Sequence, residues 1–278
     1  MKSLLFVPTL VCLAALTAPA ALANPHPNPF SYPYETLPAG KFEAEQYVDF
    51  VPLKVARELV DGTQEGVYGT RYVLQTELEY GITDRLEFGW YFQFQQGATA
   101  DTPFMRFTGV KQRLRYRFAE AGEWPIDVGV YLELAENHDE IELEEKILLA
   151  KRFGALNFVA NLWIEQEYYW QVKDTKYIYN PTVGVSYELS PRFVIGAEYW
   201  ARGRFDDPTP DNGTASQTDV SDTPRSGHHY LGPTALLQSG QVFLSIGVYA
   251  KLDGLGDAQQ IGDSYGKFWV RTIVGLEL

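Results

Sequence analysis

The feature that most constrains this chain is an alternation of apolar and polar residues with a period of two. It recurs in twelve segments between Lys41 and Leu278. The first sets Phe42, Ala44, Gln46, Val48 and Phe50 on one face, and the second Tyr72, Leu74, Thr76, Leu78 and Tyr80. The clearest is the third, with Leu86, Phe88, Trp90, Phe92 and Phe94. Further segments cover 110–118, 126–134, 141–149, 156–164, 183–189, 193–199, 229–237, 242–248 and 268–278. Successive side chains of a strand point to opposite faces, so this rhythm specifies strands with one apolar and one polar face. The fold class it predicts is all-β: an antiparallel up-and-down barrel of about 12 strands.

The connections carry independent information because they alternate in length. Short ones lie at 81–84, 119–123, 152–155, 190–191 and 238–240. Longer ones lie at 51–66, 95–105, 169–176, 205–226 and 253–264, with 136–139 as a short member of that set. Short periplasmic turns and long extracellular loops are the pattern of outer-membrane barrels, and an even strand number puts both termini on the periplasmic side. A soluble barrel with its apolar face inward is the competing reading. Strand length argues against it, since the segments run to ten residues or more. A tilted membrane strand needs about 9–11 residues, whereas strands of soluble domains average about 5–6. Bulky aromatics near strand ends (Tyr80, Tyr116, Phe118, Tyr168, Tyr187, Tyr199) are placed as an interfacial girdle.

The N-terminus supplies the compartment. Lys2, an apolar run over 4–16 and Ala21-Leu22-Ala23 have the layout of a secretory signal peptide, with cleavage expected after Ala23. The domain plan is then 1–23 signal peptide, 24–39 proline-rich periplasmic lead-in and 40–278 outer-membrane barrel. Five prolines in the lead-in (Pro25, Pro27, Pro29, Pro33, Pro38) exclude a strand there. It reads as a mobile tail, with a plug built on Phe30, Tyr32 and Tyr34 as the alternative. Removing Lys2 with the signal changes the formal charge from −13 to −14, which leaves no electrostatic footprint for nucleic acid.

Residues Glu77 to Gly89, reading ELEYGITDRLEFG, form a strand–turn–strand unit. It resembles a hairpin of poorly characterised outer-membrane barrels, among them the putative transporter family labelled after the meta-pathway of phenol degradation. The resemblance implies a barrel that passes or binds small, hydrophobic or aromatic compounds, and it hands over no catalytic residues. Leu278 stands where such barrels carry a terminal aromatic for the barrel-assembly machinery.

Candidate site residues come from the polar faces. Lys111, Arg113, Arg115 and Arg117 share one strand face and could form a basic ladder in the lumen, with Glu77, Glu79 and Glu87 as acidic partners in the lower lumen. A salt-bridge network and an anion-selective ladder are the two readings. Glu142, Glu144, Glu165 and Glu167 converge in the upper lumen, either as a cation-attracting mouth or partnered by Lys146, Arg202 and Arg204. The acidic loop 206–222 has five aspartates and no basic residue. Ser226-Gly227-His228 is the one close Ser/His pairing, with no third group evident from sequence to orient it. No Cys/His metal spacing or phosphate-binding glycine loop occurs, so no catalytic residues, metal or cofactor are expected. The expected partners are outer-membrane lipid, lipopolysaccharide, the barrel-assembly machinery and an unidentified small solute. The function expected is a channel or transporter for small molecules. A non-conducting structural or surface-binding barrel is the alternative, and an outer-membrane lipid hydrolase a distant third.

Overall fold

A computed structural model describes residues 24–98, 104–171, 173–205, 223–261 and 263–278. The signal peptide and the acidic loop 206–222 lie outside the described residues. The first seven strands are β1 (Phe42–Glu58), β2 (Gln64–Thr83), β3 (Leu86–Gln96), β4 (Arg106–Arg117), β5 (Asp127–Asn137), β6 (Glu140–Phe153) and β7 (Leu156–Tyr169). They are followed by β8 (Asp174–Tyr179), β9 (Thr182–Ser190), β10 (Phe193–Arg204), β11 (His228–Ser239), β12 (Val242–Lys251) and β13 (Phe268–Glu277). Each strand pairs antiparallel with its sequence neighbours, except that β8 and β9 each pair with β7 and β10 and not with each other, and β13 returns to β1 from Glu43↔Glu277 to Phe50↔Val270. The sheet is therefore closed and has no free edge.

Strands β8 and β9 are one stave of the barrel, interrupted at Asn180 and Pro181. Both pair with β7, through Ile164↔Tyr179 on one side of the break and Asn161↔Thr182 on the other. Pro181 has no N–H for the ladder, which forces the break. Hydrogen bonding is carried across it by Asn180 N–H to Trp163 O (3.0 Å) and Ala201 N–H to Pro181 O (3.1 Å). Twelve staves thus match the twelve alternating segments.

Two of the expected loops are corrected. The span 51–66 is mostly ladder, since β1 and β2 stay paired out to Glu58↔Gln64. Val51 and Leu53 are buried there, in a cluster joined by Ala98 and Tyr265, so neighbouring loops cover the hairpin's apolar side. The span 169–176 shrinks to a turn because β8 begins at Asp174.

The apolar face points outward. Leu78, Trp90, Leu132, Leu162, Ile246 and Val274 are exposed, while the alternate residues between them are buried. Covering a large apolar side chain is worth about 1.5–3 kcal/mol, so a belt of this size in water would forfeit tens of kcal/mol. Lipid removes that cost, and this settles the membrane barrel against the soluble one. Aromatics at the belt's margins, among them Tyr80, Phe118, Tyr168 and Tyr187, are exposed as a girdle requires. Glu145 breaks the pattern: it is exposed on the apolar face, across from Leu132 on β5 and Ile164 on β7. Glu145→Leu is expected to stabilise the barrel in lipid by about 1–2 kcal/mol, somewhat less than the cost of a basic residue at that depth. Denaturant titration in vesicles would check this, and a loss of stability would show that Glu145 has a function on that face.

Candidate functional site: a plugged lumen

The site is built from the inward-facing alternate residues together with residues 24–39. Reading this segment as a mobile periplasmic tail is wrong, because it lies inside the barrel: His26, Asn28, Phe30, Tyr34 and Leu37 are all buried. Its prolines have no N–H to satisfy, and five of its other backbone donors find acceptors on the wall. Asn24 N–H donates to Glu43 (3.0 Å), Phe30 N–H to Glu198 (3.1 Å) and Tyr32 N–H to Asn161 (2.7 Å). Leu37 N–H donates to Glu87 (2.6 Å) and Ala39 N–H to Asp84 (2.9 Å). The carbonyls are answered in return by Ser245 Oγ to His26 O (2.5 Å) and Asn161 Nδ2 to Tyr32 O (3.1 Å). Asn24 Nδ2 donates to Glu35 O (3.2 Å), which closes the segment into a loop. Buried backbone polar groups must be paired, and here an irregular segment is paired by the lumen instead of by a ladder.

Missing side chains on the wall make room for the plug. A Cβ added at Gly184 would lie 2.5 Å from Cγ of Asn28. One at Gly81 would lie 2.1 Å from the Pro38 carbonyl oxygen and 2.7 Å from that of Leu37. Gly81 therefore serves the approach of the plug backbone. It opens the short connection expected at 81–84, yet it is not among the positive-φ residues.

Aromatic and charged groups fix the plug's middle. Phe30 stacks on Trp200 with centroids 4.4 Å apart, and Trp200 on Tyr230 at 4.1 Å. The Arg271 guanidinium sits 3.8 Å over the Phe30 ring while donating twice to Asp49 at 2.7 Å. Lys146 Nζ lies 4.3 Å from the Tyr32 ring and 3.8 Å from Trp163.

The expected site residues are all on the wall, in clusters rather than as a free basic ladder. Arg113 reaches Glu77 (2.7 Å), Glu87 (2.6 Å) and Glu79, and receives no solvent. Arg115 donates to Glu87 (2.7 Å) and to the Pro33 carbonyl (3.4 Å), tying this cluster to the plug. Lys111 turns the other way, to Glu133 (2.7 Å) and Glu144 (2.9 Å). Arg117 stays at the rim with Glu120 (2.7 Å) and the Asp84 carbonyl (2.8 Å). The four upper carboxylates face one another in register, Glu142↔Glu167 and Glu144↔Glu165. Glu144 is partnered by Lys146 (2.5 Å), and Arg202 bridges Glu165 (2.5 Å) and Glu167 (2.6 Å). Sequence reasoning missed Asp49, Glu198, Asn161 and Arg271. Their inward parity on the strands was available as a signal, but nothing in sequence marked the plug as their partner.

Near the long-loop end, His228 Nδ1 is 3.0 Å from Asp253, and His229 bridges Tyr199 OH (2.6 Å) and the Ser226 carbonyl (2.7 Å). These contacts fasten the residues at the start of β11 to the wall.

Cavities lie on both sides of the plug. One, of about 420 Å³, opens toward the long loops and is lined by Phe30, Trp163, Trp200, Arg202, Tyr265 and Arg271 among others. The second, of about 460 Å³, opens toward the short turns and is lined by Asn24, His26, Pro33, Glu35, Arg152 and Gln238 among others. Residues of the plug line both. Burial, then the Arg115 and Arg113 charges, lowers the His26 pKa to about 3, so the imidazole is neutral at physiological pH.

A family model matches residues 29–268, beginning inside the plug. The chain belongs to the family of unknown function DUF6662. The narrower resemblance to the phenol meta-pathway family is not what this match shows. No curated protein matches the sequence significantly. An outer-membrane channel from Pseudomonas putida F1 is similar at 12% identity, over 88% of this chain and 98% of that one, with a TM-score of 0.60. The NanC porin is similar at 10% identity, over 85% of this chain and 100% of that one, with a TM-score of 0.55. Both share the closed antiparallel barrel, and with the outward apolar belt they place this family member among outer-membrane barrels.

Proposed function

We propose that the protein is an outer-membrane channel for small molecules whose pathway is closed at rest by its own N-terminal segment. The observation that carries this is the pair of cavities, about 420 and 460 Å³, inside one barrel with residues 24–37 between them. Each is in the size range of small-molecule sites, about 300–1,000 Å³. The cavity facing the long loops combines aromatic rings with charged groups of both signs, a lining suited to small amphiphilic or aromatic solutes. The two similar structures are channels by name, and the hairpin over 77–89 resembles barrels associated with aromatic compounds; both support this reading. The short turns then face the periplasm. Catalysis is no part of the proposal.

Single-channel recording in planar bilayers tests it. The mature protein is expected to conduct rarely and in brief openings. A variant lacking residues 24–37 is expected to give a steady conductance at least tenfold higher in mean current. A deletion variant that folds, as judged by its heat-dependent gel shift, and stays silent would overturn the channel reading in favour of a structural barrel.

A further inference from the structure

The plug meets the wall at a point where three acceptors are left over. His26 on the plug, Glu45 on β1 and Glu79 on β2 each have an oxygen or nitrogen within 4.8 Å of those of the other two. His26 is 2% exposed, and Glu45 and Glu79 are each 1% exposed. His26 Nε2, Glu45 Oε1 and Glu79 Oε2 have no hydrogen-bond partner, although all three are buried. Nε2 and Oε1 approach to 3.4 Å without bonding, and the nearest cation to Glu79 Oε2 is Arg115 at 3.8 Å. Buried polar atoms are rarely left unmatched, so three in one spot call for a common partner.

The surroundings specify what that partner is. The opposite oxygens of both carboxylates are already held, Glu45 Oε2 by Tyr47 OH (2.5 Å) and Glu79 Oε1 by Arg113. The imidazole lies nearly parallel to Phe243, with centroids 6.3 Å apart, and edge-on to Tyr47 at 6.5 Å. Outer partners that orient ligands in this way are usual in metal sites. Charge argues in the same direction. Glu43, Glu45, Glu77, Glu79 and Glu87 crowd this part of the lumen; among the described residues Arg113 and Arg115 hold Glu77, Glu79 and Glu87, and Asn24 N, the terminal ammonium after the expected cleavage, holds Glu43, which leaves carboxylates in excess. A dication relieves that excess, and a donor set of one imidazole and two carboxylates suits a first-row transition ion. Calcium and magnesium prefer all-oxygen shells with more ligands.

The geometry points to a divalent transition-metal site formed by His26, Glu45 and Glu79, at which the ion fastens the plug to the barrel wall. The entry route is the cavity toward the short turns, which His26 lines. One ligand comes from the plug and two from adjacent strands, so the ion bridges the movable part to the fixed part.

Zinc is the probe. The mature protein is extracted in detergent, stripped with a chelator, loaded with Zn²⁺ and passed through gel filtration. Metal analysis is expected to find about one retained equivalent. His26→Ala alters only the plug, and Glu45→Gln keeps the wall residue's shape; each is expected to weaken zinc binding at least tenfold while preserving the heat-dependent gel shift. Zinc is also expected to slow proteolysis within residues 24–39 in the unaltered protein and not in His26→Ala. Failure of the unaltered protein to retain zinc would overturn the inference, as would equal retention in both variants, which is the mark of adventitious surface binding. Retention is read without reference to conductance, so this result and the channel result fall separately.

Discussion

Arg113→Met is expected to be the most destabilising single substitution in the lumen, costing about 3–5 kcal/mol. Arg113 is completely enclosed, and so are Glu77 and Glu87, two of the three carboxylates it holds. Taking away the guanidinium leaves those charges in a site closed to bulk solvent, and one remaining neighbour, Arg115, cannot span all three. The comparison within the molecule is Arg57, whose bond to Glu65 (2.6 Å) joins side chains 60% and 50% exposed. An exposed pair of that kind is worth about 0–1 kcal/mol, so Arg57→Met should leave stability almost unchanged. Denaturant titration of the folded barrel, followed by its gel shift, would measure both. If the two variants differ by less than about 1 kcal/mol, the Arg113 cluster is solvated and the account of an enclosed ion-pair cluster is wrong.

Gly81→Val is expected to have the largest effect on permeation of any wall substitution. A Cβ at that position collides with two backbone carbonyls, those of Pro38 and Leu37, and no rotamer change relieves a clash with backbone. The foot of the plug must move, which breaks the Leu37 N–H bond to Glu87. The other anchors, at Phe30, Tyr32 and Asn24, then hold a segment released at one end. We expect protease to cut within residues 24–39 of Gly81→Val under conditions that leave the parent intact, and the mean current to approach that of the plug deletion. Gly184→Val tests the same idea from the opposite wall, where the clash is with Asn28, a short side chain with little room to turn. Unchanged cleavage and unchanged current in both variants would mean that the plug is not what closes the pathway.

Most of the barrel was legible in the sequence because a strand's side-chain period is fixed by backbone geometry. The apolar residues of 86–94 or 242–248 could share one face in no other way, and the short–long rhythm of connections gave the closure. The β8–β9 stave was half read, since Asn180-Pro181 interrupts the alternation and hides the six residues before it. The outer hairpin was read as loop because its inward Val51 and Leu53 are covered by distant loops, which local pattern does not report. The plug was the largest miss. Its composition excludes regular structure, and irregular segments carry no periodicity from which to infer a destination. What holds it in place is the wall's own polar residues, such as Glu43, Glu87, Asn161 and Glu198, acting as acceptors for its amides. Of these, the sequence reading singles out Glu87 alone, and only as a salt-bridge partner. The carboxylate and basic clusters were found by parity, but which charges meet depended on strand register, and Lys111 went to Glu133 and Glu144 instead of joining Arg113.

The seam between β1 and β13 dictates an order of events during biogenesis. Residues 24–39 bond to β1, β3, β7, β10 and β12, and they precede β1 directly in the chain. A loop with anchors on so many staves cannot be threaded into a finished cylinder through either mouth without first shedding those bonds. It is most readily enclosed while the sheet is still an open cup, before β1 meets β13 from Glu43↔Glu277 onward. The last step of closure then also seals the contents. A chain that zips shut too early would produce an empty cylinder of the same strands, stable in the bilayer and leaky. The timing of one seam therefore decides whether the barrel closes around its plug or empty.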